Sequence, residues 1–105
     1  MSFTTGAALL DAVVLAVVSR EEEGTYGYKI TQEIKQALEL SESTLYPVLR
    51  RLQKDQLLTV YDAPVNGRNR RYYQITPAGR QQLAAYAQEW SRYRSSIDTF
   101  FREVE

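Results

Sequence analysis

The sequence predicts a mostly α, α+β fold: a winged helix-turn-helix with a β-hairpin wing and a long C-terminal dimerisation helix. Three observations predict it. Three helix-like segments precede residue 57. An Asn66-Gly67 pair then sits between two β-prone runs, a strong short-range hairpin signal. From Pro77 onward there is no further proline, and apolar residues recur at heptad spacing.

The first segment is Thr5–Arg20. Leu9, Leu10, Val13, Val14, Val17 and Val18 are apolar on nearly every side of a helix, so it is buried or half-buried in a partner. The run from Ala7 to Val18 does not read as a signal peptide. No Lys or Arg precedes it, Asp11 interrupts it, and it is too short to span a bilayer. The expectation is a cytoplasmic protein with no membrane partner.

The second segment, Tyr26–Leu38, places Ile30, Ile34 and Leu38 one turn apart, as in a short amphipathic helix. The third runs from Ser41 to about Gln56. Ser41 is a good N-cap, with Glu42 just inside to favour the positive helix end. Pro47 is a difficulty in that register, and a start at Ser43 or Thr44 would bring it near the first turn. Leu45, Val48, Leu49 and Leu52 form the expected buried stripe. Ser43, Tyr46, Pro47, Arg50, Arg51 and Lys54 are expected on the opposite face.

The hairpin is expected to pair Leu57–Ala63 with Arg70–Thr76, leaving Pro64–Asn69 as the connection. The last helix opens at Thr76-Pro77, an N-cap followed by proline at the first helical position. Nearly thirty helical residues span roughly 40 Å, well beyond the radius of a domain this small.

A chain of 105 residues accommodates one core. The expected division is a DNA-binding domain over 1–76 and a dimerisation helix over 77–105. There is no Cys and no His. Thiolate nucleophiles, disulfides, zinc-finger ligands and the usual neutral-pH base are therefore absent. No enzymatic activity, metal or cofactor is expected.

Thirteen basic and thirteen acidic side chains give a formal net charge of zero. That total argues against a uniformly basic nucleic-acid binder. The distribution argues the other way. Residues 1–40 carry three basic and six acidic groups, net −3. Residues 41–80 carry seven basic groups against three acidic ones, net +4, and residues 81–105 are net −1. The basic excess thus falls on the third helix and the hairpin. Arginine suits that location, since its planar fork pairs with phosphate or with guanine O6 and N7. Arg50 and Arg51 on the helix and Arg68 and Arg70 at the wing are the candidates. Arg68 or Arg70 can lie on the backbone or enter the minor groove. Strand alternation sends Arg70 and Arg71 to opposite faces. An ordinary solvated face is the plainer reading of the same charges.

On the last helix Leu83, Trp90, Ile97 and Val104 recur every seven residues, with Tyr86, Tyr93, Phe100 and Phe101 between. Such a seam implies a partner, most simply the same helix of a second subunit. Leu10, Val14, Leu83, Trp90, Ile97, Phe100, Phe101 and Val104 are the expected interface. Burial against the chain's own first helix is the alternative, and the two are compatible. Trp90 is the single tryptophan. It serves either as an interface anchor or as a flat wall for a planar ligand.

The segments Tyr26-Gly27-Tyr28, Ser43-Thr44-Leu45-Tyr46-Pro47-Val48-Leu49-Arg50-Arg51-Leu52 and Arg71-Tyr72-Tyr73-Gln74-Ile75-Thr76-Pro77-Ala78-Gly79-Arg80 resemble the PadR-like transcriptional regulators. The resemblance covers nearly the whole chain. It implies a winged-helix repressor that dimerises through its last helix and contacts an operator through the third helix, the start of the second and the wing. Carried over, the DNA-contacting positions are Tyr26, Ser43, Thr44, Tyr46, Arg50, Arg51, Arg68 and Arg70. Glu89-Trp90-Ser91-Arg92 is similar to the segment of multidrug-resistance repressors in which paired tryptophans line an apolar pocket between subunits. One position departs: Gln56 stands where the family usually has a glycine. The expected function is a sequence-specific, double-stranded-DNA-binding dimeric repressor, released by a small planar or aromatic effector. The alternative is a protein-interaction module that uses the helical seam without specific DNA binding.

Overall fold

The computed structural model describes residues 6–104, with side chains from Ala8 onward. The elements are α1 (Gly6–Ser19), β1 (Thr25–Tyr26), α2 (Gly27–Lys35), α3 (Glu42–Lys54), β2 (Leu58–Val65), β3 (Arg68–Ile75) and α4 (Pro77–Phe101). The expected order is present, and Thr5 lies outside the described residues. Among the described residues no helix is long and apolar enough to cross a membrane.

The all-round apolarity of α1 makes it the central element. Val14, Leu15 and Val18 are fully buried, packed with Ile30 and Ile34 of α2, Leu45, Leu49 and Leu52 of α3, and Leu58 of β2. This corrects one expectation. Val14 lies inside its own chain's core and is not available to a second subunit.

β1 went unanticipated, because two residues carry no periodicity. It pairs antiparallel with β3, Thr25 opposite Tyr73 and Tyr26 opposite Tyr72. The sheet therefore has three strands, in the order β1-β3-β2. Chain committed to β1 cannot be helical, so α2 starts at Gly27 rather than Tyr26. It also stops early, at Lys35. Its buried side comprises Ile30, Thr31 and Ile34, and Leu38 lies beyond it, 41% exposed.

α3 keeps the Ser41 cap. The Thr44 amide donates to Ser41 Oγ at 3.3 Å. The alternative start at Ser43 or Thr44 is not adopted, and Pro47 stays inside the helix. The carbonyl that Pro47 cannot reach belongs to Ser43, in an exposed first turn where water can satisfy it. The helix ends in a Schellman arrangement. The Leu57 amide donates to the Leu52 carbonyl at 2.9 Å and the Gln56 amide to the Gln53 carbonyl at 3.0 Å. Gln56 takes φ 63°, the left-handed conformation that favours glycine. The backbone turn is thus the one a glycine would make, with a side chain carried through it.

The hairpin is tighter than expected. β2 and β3 continue until Val65 faces Arg68, leaving only Asn66 and Gly67 in the turn. Their φ values, 53° and 79°, are both positive, as a type I′ turn requires. Pro64 sits in β2, an outer strand of the sheet, where a missing N–H is tolerated.

α4 opens as expected. Thr76 Oγ1 accepts from the Gly79 amide at 2.9 Å, and Pro77 follows the cap. A side chain at Gly79 would collide with the Leu57 carbonyl oxygen at 2.2 Å, so the helix lies directly on the α3–β2 connection. Leu83, Tyr86 and Tyr93 then pack against the core. At 25 residues, roughly 37 Å, α4 outruns the rest of the fold. The molecule is 56 × 26 × 21 Å in consequence. The helix ends at Phe101, so Val104, the last expected seam position, lies outside it and is 77% exposed.

Candidate nucleic-acid interface

Heptad-like arithmetic along α3 puts Ser43, Tyr46, Pro47, Arg50 and Lys54 on one exposed side, opposite Leu45, Val48, Leu49 and Leu52. Ser43 and Thr44 are tied to the cap, their hydroxyls 2.9 and 3.1 Å from Ser41 Oγ. Arg50 is exposed.

Arg51 is not on that side, which corrects a second expectation. One residue further along the helix turns it by about 100° toward α1. There its guanidinium forms an ion pair with the carboxylate of Asp11. Asp11 is only 15% exposed, so this pair is a helix-to-helix tie.

Between the start of α2, α3 and the wing lies a cleft of about 580 Å³. Four of the expected residues line it: Tyr26, Tyr46, Arg68 and Arg70. Tyr46 reaches across from α3 to the first turn of α2. A Cβ at Gly27 would come within 3.2 Å of its ring, so the glycine makes room for it. Tyr28, 60% exposed, lines the same cleft and was not singled out from sequence. The Tyr26-Gly27-Tyr28 run itself carried the signal, since a tyrosine opening an amphipathic helix off its apolar stripe must face outward.

The wing arginines differ as alternation requires. Arg71 also lines the cleft and is 3.5 Å from Asp62, its cross-strand partner. Arg70, on the other face, lies 4.1 Å above the centre of the Tyr26 ring. Arg68 is exposed beside the turn. Tyr73, on the inner face of β3, has its phenol pushed above the ordinary value by burial. On α2, Lys29 donates to Glu21 at 2.8 Å, and that hydrogen bond raises its pKa.

The expected α4 seam divides in two. Leu83 packs on the chain's own core, whereas Phe100 and Phe101 are 74% and 59% exposed. Trp90 stands at the division. It is 41% exposed and lines a mostly apolar groove of about 440 Å³ together with Leu9, Ala12, Val13 and Ala16 of α1 and Ile34 of α2, with Arg20 and Glu33 also on its wall. Leu10 is partly buried against the core, and Ile97 is partly exposed.

The family model described as the transcriptional regulator PadR-like family matches residues 14–85, from α1 through the wing into α4. The chain belongs to this PadR-like family of transcriptional regulators. A relative from Mycobacterium tuberculosis, "Transcriptional regulator Rv3488", is 46% identical to this PadR-like chain over 80 residues, covering 75% of it and 68% of the relative. Among solved structures, smu.1704 from Streptococcus mutans is 38% identical with a TM-score of 0.83, covering 97% and 94% of the two chains. The structure of Bacillus subtilis PadR in complex with operator DNA shares the fold, with a TM-score of 0.68 at 23% identity. That match covers 75% of the PadR-like chain and 45% of the other. Family members are regulators of transcription rather than enzymes.

Proposed function

We propose that this PadR-like chain is a dimeric repressor that binds a specific duplex operator and releases it when a small planar or aromatic effector binds beside Trp90. The observation that carries the DNA reading is convergence. Tyr26, Tyr28 and Tyr46 around the start of α2 and Arg68, Arg70 and Arg71 of the wing line one cleft, and Arg50 stands exposed one helical turn beyond Tyr46 on α3. Arg50 projects from the middle of an exposed helix face that fits the major groove. Arg68 at the narrow turn suits the backbone or the minor groove. Ser43 and Thr44 in the first turn of α3 suit phosphate. A duplex-DNA ligand also fits a cytoplasmic location.

Residues 1–76 supply the DNA surface, and 77–105 supply the second subunit's seat. The exposed Phe100 and Phe101 support the dimer, because a free helix end rarely leaves two phenylalanines in water. Two-fold pairing presents two copies of α3 to half-sites about one helical turn apart. The mostly apolar groove lined by Trp90 supports the effector reading, with a flat indole and few polar groups.

DNA selection with the purified protein tests this, followed by Arg50→Ala on the selected duplex. Enrichment of one pseudo-palindromic sequence is expected, and Arg50→Ala should weaken binding by about 1–3 kcal/mol per half-site contact at fixed salt. Failure to enrich any sequence would leave the helical seam as a protein-interaction surface.

A further inference from the structure

Arg70 is the one wing arginine whose guanidinium rests on a ring, and that ring does not stand alone. Tyr26, Tyr72 and Tyr61 occupy one level across the sheet, Tyr26 facing Tyr72 and Tyr72 facing Tyr61. Their side chains share the face opposite the buried Tyr73 and Ile75. The Tyr26 and Tyr72 rings meet edge to face, 5.7 Å between centres and 76° between planes. The Tyr72 and Tyr61 rings are stacked, 5.2 Å apart and 7° from parallel. At the far end the Tyr61 hydroxyl donates to the backbone carbonyl of Glu23, in the loop that leads into β1. The ladder is therefore fixed at one end to the α1–α2 loop and carries a guanidinium at the other.

We propose that Tyr61 is a positioning residue for Arg70: acting through Tyr72 and Tyr26, it holds the guanidinium in place for a DNA phosphate. The proposal rests on the DNA-binding reading above. Arginine loses rotamer freedom when it grips a ligand, and a side chain already held on a ring has less to lose. The guanidinium over the Tyr26 face keeps its charge and its outward N–H groups while its orientation is fixed. Tyr61 itself lies on β2 away from the cleft-lining residues, so its influence on DNA runs through the ladder.

The test uses the full chain and a mixed-sequence duplex of about 30 base pairs, roughly three helical turns. Arg70→Ala is measured first. It should weaken binding and lower the salt slope by about one. If it does neither, Arg70 does not contact the duplex and the DNA reading of that residue fails, whatever Tyr61 does. Tyr61→Thr removes the ring but keeps a strand-favouring side chain. It should weaken binding by about two- to fivefold, the range of one exposed cation–π contact. In the Arg70→Ala background it should add almost nothing. Tyr61→Phe keeps the ring and loses only the bond to Glu23, so its binding should fall between the parent and Tyr61→Thr. A second readout needs no DNA. The Arg70 side-chain proton resonances should be shifted upfield by the Tyr26 ring and should move toward free-arginine values further in Tyr61→Thr than in Tyr61→Phe. Additive losses for Tyr61→Thr and Arg70→Ala, or unmoved Arg70 resonances in a folded Tyr61→Thr, would overturn the proposal.

Discussion

Arg51 of α3 is paired with Asp11 of α1, forty residues earlier in the chain. Its neighbour Arg50 faces solvent. Two consecutive arginines on one helix thus have separate tasks, and substitution should separate them. Arg51→Ala is expected to lower unfolding stability by about 1 kcal/mol, a value tempered by the partial exposure of the guanidinium. Arg50→Ala should leave stability within about 0.5 kcal/mol. Urea denaturation of the two variants side by side decides the matter. Equal losses would show that the Asp11 tie contributes nothing.

The end of α3 offers a stabilising change. Gln56 holds φ 63°, a conformation that costs an L-residue roughly 1 kcal/mol relative to glycine. Gln56→Gly should therefore raise stability by about 0.5–1 kcal/mol with the Schellman bonds intact. Gly79 presents the reverse case. A methyl there meets the Leu57 carbonyl oxygen at 2.2 Å and Ile75 Cγ1 at 2.7 Å. Gly79→Ala should destabilise by about 2 kcal/mol or more despite alanine's better helix propensity. Thermal unfolding of both variants tests this pair of opposite signs.

Alkaline pH should weaken the fold. Burial raises the phenol pKa of Tyr73 and of Tyr86 above the ordinary 10.0, and Asp11 adds to the effect at Tyr86. In the unfolded chain these tyrosines ionise at their ordinary value, so the folded state binds more protons above it. The contribution to stability is complete below pH 10.0 and is lost as the pH climbs through the raised folded values. Denaturation midpoints should be flat in this respect up to about pH 9.5 and fall above it. Tyr86→Phe should reduce the fall, and an identical fall in that variant would remove Tyr86 from the account.

The proposed dimer places its demand on the far end of α4. Phe100→Ser combined with Phe101→Ser should shift the sedimenting species from dimer toward monomer at micromolar concentration without unfolding the chain, because both side chains are largely exposed in the monomer. Trp90 lies a few turns earlier, so its emission should report effector binding. Planar aromatic compounds should quench it, and Trp90→Ala should weaken their binding, followed by calorimetry, while the protein stays folded. A full panel of such dyes without quenching would leave Trp90 as a packing residue.

Elements with strong local chemistry were legible in the sequence. Ser41 and Thr76 announce their helices because a side-chain oxygen before an orphan amide has one effective use. Asn66-Gly67 announces the turn because few other pairs tolerate two positive φ values. What was missed depends on partners distant in sequence. β1 exists because β3 offers Thr25 and Tyr26 an unpaired edge at Tyr72 and Tyr73, and two residues cannot advertise that by themselves. Arg51 looked identical to Arg50 until Asp11 was placed against it. Val14 fitted the expected interface stripe, but an all-apolar helix has no marked outer side, and tertiary packing decides which side is covered. Within the candidate interface, the arginines were found through charge and Tyr28 was not. An uncharged exposed ring leaves no trace in a charge tally.

Pro64 looks incidental in the wing, yet it has a consequence for crowded solutions. The outer strand of any sheet can recruit a stranger, since its outward amides and carbonyls form an open half-ladder. At residue 64 that half-ladder lacks a rung, for a proline has no amide hydrogen to give. Two wings that drift together along β2 meet a gap in that ladder at residue 64. The same projecting hairpin that carries Arg68 and Arg70 thus carries one obstacle to edge-to-edge pairing, and replacing Pro64 with a strand-favouring valine would remove that obstacle.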